Sequence, residues 1–213
     1  MLSRLWPGAD FVAPDWTLRM DGSSMERNVP QSNGSSWADA PDADLVRACV
    51  EGHREAFDVI VLRYRRQVYL LCYRYVSNHE DAADLAQDTF VRAFRGLEGF
   101  KGQSSLATWL YRIAVNVCLN RLALKTPRPE SLQSDEHVDE RGEPADAWLL
   151  RQEKAEEVRA AIRRLPRKQR ATLILRVYHE LPHEEIAAVM GSSVGAAKAN
   201  LFHALANLKK QLR

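Results

Sequence analysis

One run in the chain has the spacing of a metal site. His179-Glu180-Leu181-Pro182-His183 matches H-E-x-x-H, in which two histidines four residues apart on one helical face hold zinc and the glutamate acts as general base. Pro182 breaks that logic. An interior proline removes a backbone donor and clashes with the preceding turn, at about 3 kcal/mol or more, and it biases Leu181 away from helical angles. The histidines therefore belong to two elements: one helix ends near His179, and another begins after Pro182 with Glu184 and Glu185 at its positive end. No third ligand follows, so neither a metal nor any other cofactor is expected.

A second group is acidic. Asp81, Asp84 and Asp88 fall along one helical face, with Asp84 and Asp88 as i, i+4 like charges that weaken an isolated helix. A basic partner surface would use such a face. Paired carboxylates could also do acid–base catalysis, but no companion nucleophile or pocket is apparent, and the chain is not expected to be an enzyme. A third group mixes aromatic, amide and basic side chains: Phe100, Lys101, Gln103, Ser104, Ser105, Trp109, Tyr111, Arg112, Asn116 and Asn120. That mixture suits an unpaired base, which stacks and hydrogen-bonds in a pocket, although Trp109 reads first as core. A fourth group, Ser192, Ser193, Lys198, Asn200, His203, Lys209 and Lys210, suits phosphates at a helix start and adenine edges.

These groups must be positioned by helices. The chain has 213 residues, is 46% apolar, and carries only 10 Gly and 9 Pro. Such a composition favours an all-α fold with a real core. The three cysteines, Cys49, Cys72 and Cys118, are too few and too odd in number for a disulfide framework, and each reads as a buried thiol. No apolar run nears the ~20 residues of a membrane span, and no secretory signal is visible. The expected setting is the reducing cytoplasm, without membrane insertion.

The formal net charge is +2, but its distribution is uneven: −2 over residues 1–41, +1 over 42–124, −4 over 125–146 and +7 over 147–213. Residues 1–41, interrupted by four prolines, read as a disordered tail. Residues 42–124 read as four helices. Asp42 is the expected cap of the first. The second carries Phe57, Ile60, Val61, Tyr64, Val68, Leu71 and Tyr75. Ser77 to Glu80 has the form of a capping box for the third, whose stripe is Leu85, Ala86, Phe90, Val91, Phe94 and Leu97. Ser104 or Ser105 caps the fourth. Residues 125–146 read as a flexible acidic linker. In the basic residues 147–213, a helix over 183–190, a Gly191-Ser192-Ser193 turn and a last helix from Val194 form a helix-turn-helix pattern, with Val194, Ala197, Leu201 and Leu205 facing the preceding helix.

With these segments in place, AFDVIVLRYRRQVYLLCYRYV, DAADLAQDTFVRAF and WLYRIAVN resemble region 2 of the extracytoplasmic-function (ECF) group of bacterial sigma-70 family RNA polymerase sigma factors. LPRKQRATLILRVYHELPHEEIAAVMGSSVGAAKANLFHAL resembles their region 4. The resemblance implies a promoter-recognition subunit. Asp81, Asp84, Leu85, Gln87, Asp88 and Phe90 would dock on the RNA polymerase core. Phe100, Lys101, Gln103, Ser104, Ser105, Arg112 and Asn116 would capture and help open the −10 element. Arg176, Ser193, Lys198, Asn200, Phe202 and His203 would read the −35 element. It also implies promoter DNA and an anti-sigma factor as partners. The chain departs from the family pattern at Ala199, Asn200 and His203, where many relatives carry arginine, and at Pro182, where a capping serine is usual. The alternative reading is a stand-alone helix-turn-helix regulator, which would bind duplex operator by itself, typically as a dimer.

Overall fold

The computed structural model describes residues 37–124 and 145–212. The expectations of a disordered tail over 1–36 and of a linker over 125–144 lie outside the described residues. Among the described residues there is no strand, and the regular elements are all helices. The helices are α1 (Asp42–Val50), α2 (Arg54–Val76), α3 (His79–Gly96), α4 (Leu106–Leu124), α5 (Ala145–Arg163), α6 (Arg167–Val177), α7 (His183–Met190) and α8 (Val194–Gln211).

Helices α1–α4 build the first core. Leu45 of α1, Ile60, Val68, Tyr69, Leu71 and Tyr75 of α2, Ala82 and Leu85 of α3, and Leu110, Ala114 and Val115 of α4 are buried. Cys72 and Cys118 are buried free thiols, while Cys49 is half-buried. A hydrogen bond with Cys72, then burial, pushes the Cys118 thiol well above its ordinary range. The buried face of α3 differs from the expected stripe. It runs Ala82, Leu85, Ala86, Thr89, Ala93, whereas Val91 and Phe94 are exposed. Thr89 fits because its hydroxyl donates to the Leu85 carbonyl at 2.7 Å, spending its polar group inside the helix.

Two caps also differ. Ser77 lies in the left-handed region and ends α2, and Asn78 starts α3 by accepting from the Asp81 amide at 2.9 Å, so the Ser77–Glu80 capping box does not form. Asp42 makes no cap hydrogen bond; its carboxylate instead takes Arg63 at 2.5 Å and the Tyr64 hydroxyl. Arg63 also donates to the carbonyls of Ala38 and Ala40 at 3.1 and 2.8 Å. Residues 37–41, read as tail, are thereby tied to α2.

In α5–α8, Ile162, Leu165, Leu173 and Ala204 form one buried cluster, with Val158, Leu201 and Leu208 packed on it. Helix α8 turns Ala197 and Ala204 inward and leaves Leu205 exposed, against expectation. Asn207 of α8 donates to Gln169 of α6 at 2.8 Å. Gly191, at φ +57°, provides the left-handed residue that ends α7. Ser193 then caps α8, accepting from the Ala196 amide at 3.1 Å.

Candidate nucleic-acid interface

The approach to α4 is a short 3-10 turn, Leu97–Gly99, followed by Phe100–Ser105. Gly102, at φ +66°, makes the bend that lets this loop reverse. The Phe100 ring packs on Trp109 with centroids 5.2 Å apart. Trp109 is half-buried, as a partial core residue, and both rings keep open surface. Lys101, Gln103 and Ser105 are exposed and Ser104 is half-buried. Of the two serines, Ser105 is the cap: its Oγ accepts from the Thr108 amide at 3.1 Å. Along α4, Arg112, Asn116 and Asn120 are exposed at four-residue steps, one row on one face. Tyr111 points the other way and is buried. The loop and helix thus carry two aromatic rings, a lysine, a guanidinium and three amides with open surface, which can stack a base and bond its edge and phosphates.

The acidic face of α3 is partly committed. Asp84 and Gln87 are exposed and Phe90 is half-buried. Asp88 pairs with Arg92 through two contacts of 3.0 Å. Asp81 accepts from Arg121 of α4 at 2.9 Å, which ties its carboxylate to the helix pair. Leu85 is only 6% exposed, so its side chain serves the core. Of the expected stripe, Leu85, Ala86 and Leu97 are buried, but Val91 and Phe94 are exposed and, with exposed Arg95, extend this side of α3.

In the helix-turn-helix unit, Ser193, Lys198 and His203 are exposed and Asn200 is half-buried. Phe202 is 70% exposed at the centre of the outward face of α8, with its ring edge-on to His203. Arg176 is exposed, but its Nη1 donates to the Leu181 carbonyl at 2.9 Å and so holds the loop between α6 and α7.

The H-E-x-x-H run is split as Pro182 requires. Helix α6 ends at Val177, Glu180 adopts φ +54°, and His183 opens α7. His179 Nε2 and His183 Nδ1 are buried without a hydrogen-bond partner. Burial, then the charge of Arg74, lowers the His179 pKa to about 4. Among the described residues, no cluster of three or more His, Cys, Asp or Glu could hold a metal ion.

Several contacts between α2–α4 and α6–α7 had no local signature. Arg170 of α6 is 6% exposed and donates to the carbonyls of Tyr75 and Arg74 at the end of α2. Its guanidinium meets the last-turn acceptors and the negative end of that helix dipole. Thr108 of α4 donates to Glu185 of α7 at 2.8 Å. The Arg74 guanidinium lies 4.2 Å from the Tyr178 ring centroid. Tyr111 and His179 have ring centroids 4.9 Å apart.

The family model for Sigma-70 region 2 matches residues 60–126, and that for Sigma-70, region 4 matches residues 155–208. The chain is 35% identical to the RNA polymerase sigma-H factor of Pseudomonas aeruginosa over 182 residues, covering 81% of this chain and 94% of that one. It is 36% identical to the ECF RNA polymerase sigma-E factor of Escherichia coli K12 over 172 residues, covering 76% and 90%. In fold it is similar to CnrH, solved in complex with the cytosolic domain of CnrY, at TM-score 0.60 and 23% identity over 80% of this chain and 96% of that one. It is also similar in fold to RpoE of Bartonella quintana, solved with the anti-sigma factor NepR, at TM-score 0.57 and 22% identity over 73% and 96%. With both region models in order and relatives matched over nearly their whole length, the chain belongs to the sigma-70 family of RNA polymerase sigma factors, in its ECF group.

Proposed function

We propose that this chain directs a bacterial RNA polymerase core to its promoters, reading DNA with two separate surfaces and performing no catalysis itself. The unit over residues 42–124 takes the −10 element. Phe100 and Trp109 stack on an unpaired base, Lys101 and Arg112 meet phosphates, and Asn116, with Gln103 and Ser104, bonds base edges. The unit over residues 147–213 reads the −35 element through α8, with Phe202 at the centre of the contact and Lys198 and His203 beside it. Asp84, Gln87 and Asp88, flanked by Phe90, form the docking face for the core. The setting is cytoplasmic, and an anti-sigma factor is the expected partner, as RpoE of Bartonella quintana was solved in complex with the anti-sigma factor NepR.

The observation that carries this reading is the row Arg112, Asn116 and Asn120 of α4 following the Phe100–Trp109 pair, on a different helix from those of the helix-turn-helix. A stand-alone regulator has no use for a base-capture surface or an acidic docking face. Adding the purified chain to core polymerase on a promoter pool tests it: promoter-specific run-off transcripts are expected, and their absence on every template overturns the reading.

A further inference from the structure

Cys72 of α2 and Cys118 of α4 lie in the first core with no exposed surface, and their thiols share a hydrogen bond. Facing helices thus bring two sulfurs into contact. Three residues further along α2, Tyr75 is 1% exposed and its hydroxyl makes no hydrogen bond. That phenol lies among the same groups: burial, then Cys118, push it well above its ordinary range, with Arg170 opposing and Cys72 adding. Arg170 closes the cluster from α6, with its guanidinium 5.6 Å from the Tyr75 ring centroid and bonded to the Tyr75 carbonyl. None of these four residues belongs to the surfaces assigned to DNA or to core polymerase.

Packing alone does not account for the set. Two neutral thiols behave as small apolar groups in a core. A buried hydroxyl without a partner is different, because its lost hydration is uncompensated, and phenylalanine would fill the same space without that cost. A phenol so placed is a donor for a small polar guest beside the sulfurs. The Cys72 hydrogen bond and burial hold Cys118 protonated at rest, and the Arg170 charge opposes them. Buried thiols are ordinarily slow to react, so an oxidant that reaches this pair must be small and uncharged. Hydrogen peroxide is both.

We infer that Cys72, Cys118 and Tyr75 form a thiol–disulfide site that hydrogen peroxide oxidises, tying α2 to α4. The Cys118 thiol gives up its proton and its sulfur attacks one peroxide oxygen. The O–O bond breaks and the sulfur keeps a hydroxyl as sulfenic acid. The departing oxygen, with the Tyr75 hydroxyl donating to it, takes the released proton and leaves as water. The Cys72 sulfur then attacks the Cys118 sulfur, the S–O bond breaks, and the hydroxyl leaves with the Cys72 proton as a second water. Two thiols lose two electrons and one peroxide gains them. The bond joins α2 to the helix that carries the Arg112–Asn116 row. Disulfides of this kind in a reducing compartment are transient and sensory, not structural. The chemistry does not depend on the promoter reading, since it is scored on the free chain.

The test uses the full chain carrying Cys49→Ser, so that the pair holds the remaining thiols. Reduced protein is treated with excess hydrogen peroxide, quenched with catalase, unfolded and alkylated. Intact mass and non-reducing peptide mapping should show an unalkylated monomer lighter by two hydrogens, with the Cys72 and Cys118 peptides joined. Dithiothreitol should reverse both changes. Tyr75→Phe, which keeps the ring in place, should form the bond roughly 2- to 10-fold more slowly, the weight of one hydrogen bond. Cys72→Val removes the second sulfur and should leave Cys118 as a sulfenic acid that dimedone traps after unfolding. Thiols that stay alkylatable, cross-links between chains, sulfinic acid in place of the bond, or an unchanged rate in Tyr75→Phe overturn the inference. Loss of helical circular dichroism before the bond forms also overturns it, because oxidation then follows unfolding and not the folded site.

Discussion

The Phe100 ring lies against the Trp109 indole with centroids 5.2 Å apart and planes tilted by 50°. Phe100 comes from the loop and Trp109 from the first turns of α4, so this pair sets where the loop stands relative to the Arg112–Asn116 row. Phe100→Ala removes the loop side of the pair, which is worth about 0.5–1.5 kcal/mol beyond area burial. Open-complex formation by the reconstituted holoenzyme should fall roughly 2- to 10-fold, while the thermal midpoint of the free chain moves little. Undiminished opening removes Phe100 from the capture surface.

Asp84 and Asp81 share a helix face but not a role. Asp84 is exposed, and Asp84→Arg should weaken core polymerase binding by about tenfold, measured by competition, with stability changed by no more than ~0.5 kcal/mol. Asp81 accepts from Arg121, and Asp81→Asn should lower the unfolding midpoint. Unchanged core affinity in Asp84→Arg would take the acidic face out of the docking surface.

Lys198 and Arg176 separate in the same way. Lys198 is exposed on the outward side of α8, so Lys198→Ala should weaken −35 binding and reduce the salt slope by about one. Arg176 holds the Leu181 carbonyl, so Arg176→Ala should loosen the turn between α6 and α7 and leave the slope nearly intact. A full salt slope in Lys198→Ala would show that it meets no phosphate.

His179 gives the fold a pH dependence. Its ring meets Tyr111 of α4 and faces the positive Arg74 of α2, and its pKa is lowered from 6.5 to about 4. Between those values the unfolded chain binds the proton more readily than the folded one. Stability is therefore full above about 6.5 and is lost as pH falls toward about 4. Thermal unfolding across this window should show the slope, and His179→Phe should flatten it. An equal slope in His179→Phe would place the proton uptake elsewhere.

Periodicity and breakers are enough to read α1–α4, the helix-turn-helix and the split at Pro182, because each is set by local sequence. Local sequence is ambiguous where neighbouring positions compete. Val91 and Phe94 are large and apolar, yet Thr89 and Ala93 take the inside of α3, since a small residue or a back-bonded hydroxyl lets α2 and α4 approach closely. Leu205 lost to Ala204 in α8 in the same way. Asn78 displaced Ser77 as cap because Ser77 was already needed to end α2. The candidate surfaces were readable as residue types, but not the tethering of Asp81 or Arg176. Arg170 with Tyr75 and Thr108 with Glu185 are 95 and 77 positions apart, and no local pattern signals such pairs.

The central claim is that one chain reads two separate promoter elements. Transcripts made by core polymerase with this chain on a fragmented genomic library can be mapped to their start sites and the upstream DNA aligned. Two shared sequence blocks at a constant spacing are expected, with Asn116→Ala relaxing only the block nearer the start and Lys198→Ala lowering output from all templates. A single shared block, none at all, or both variants acting on the same block would contradict the two-surface account.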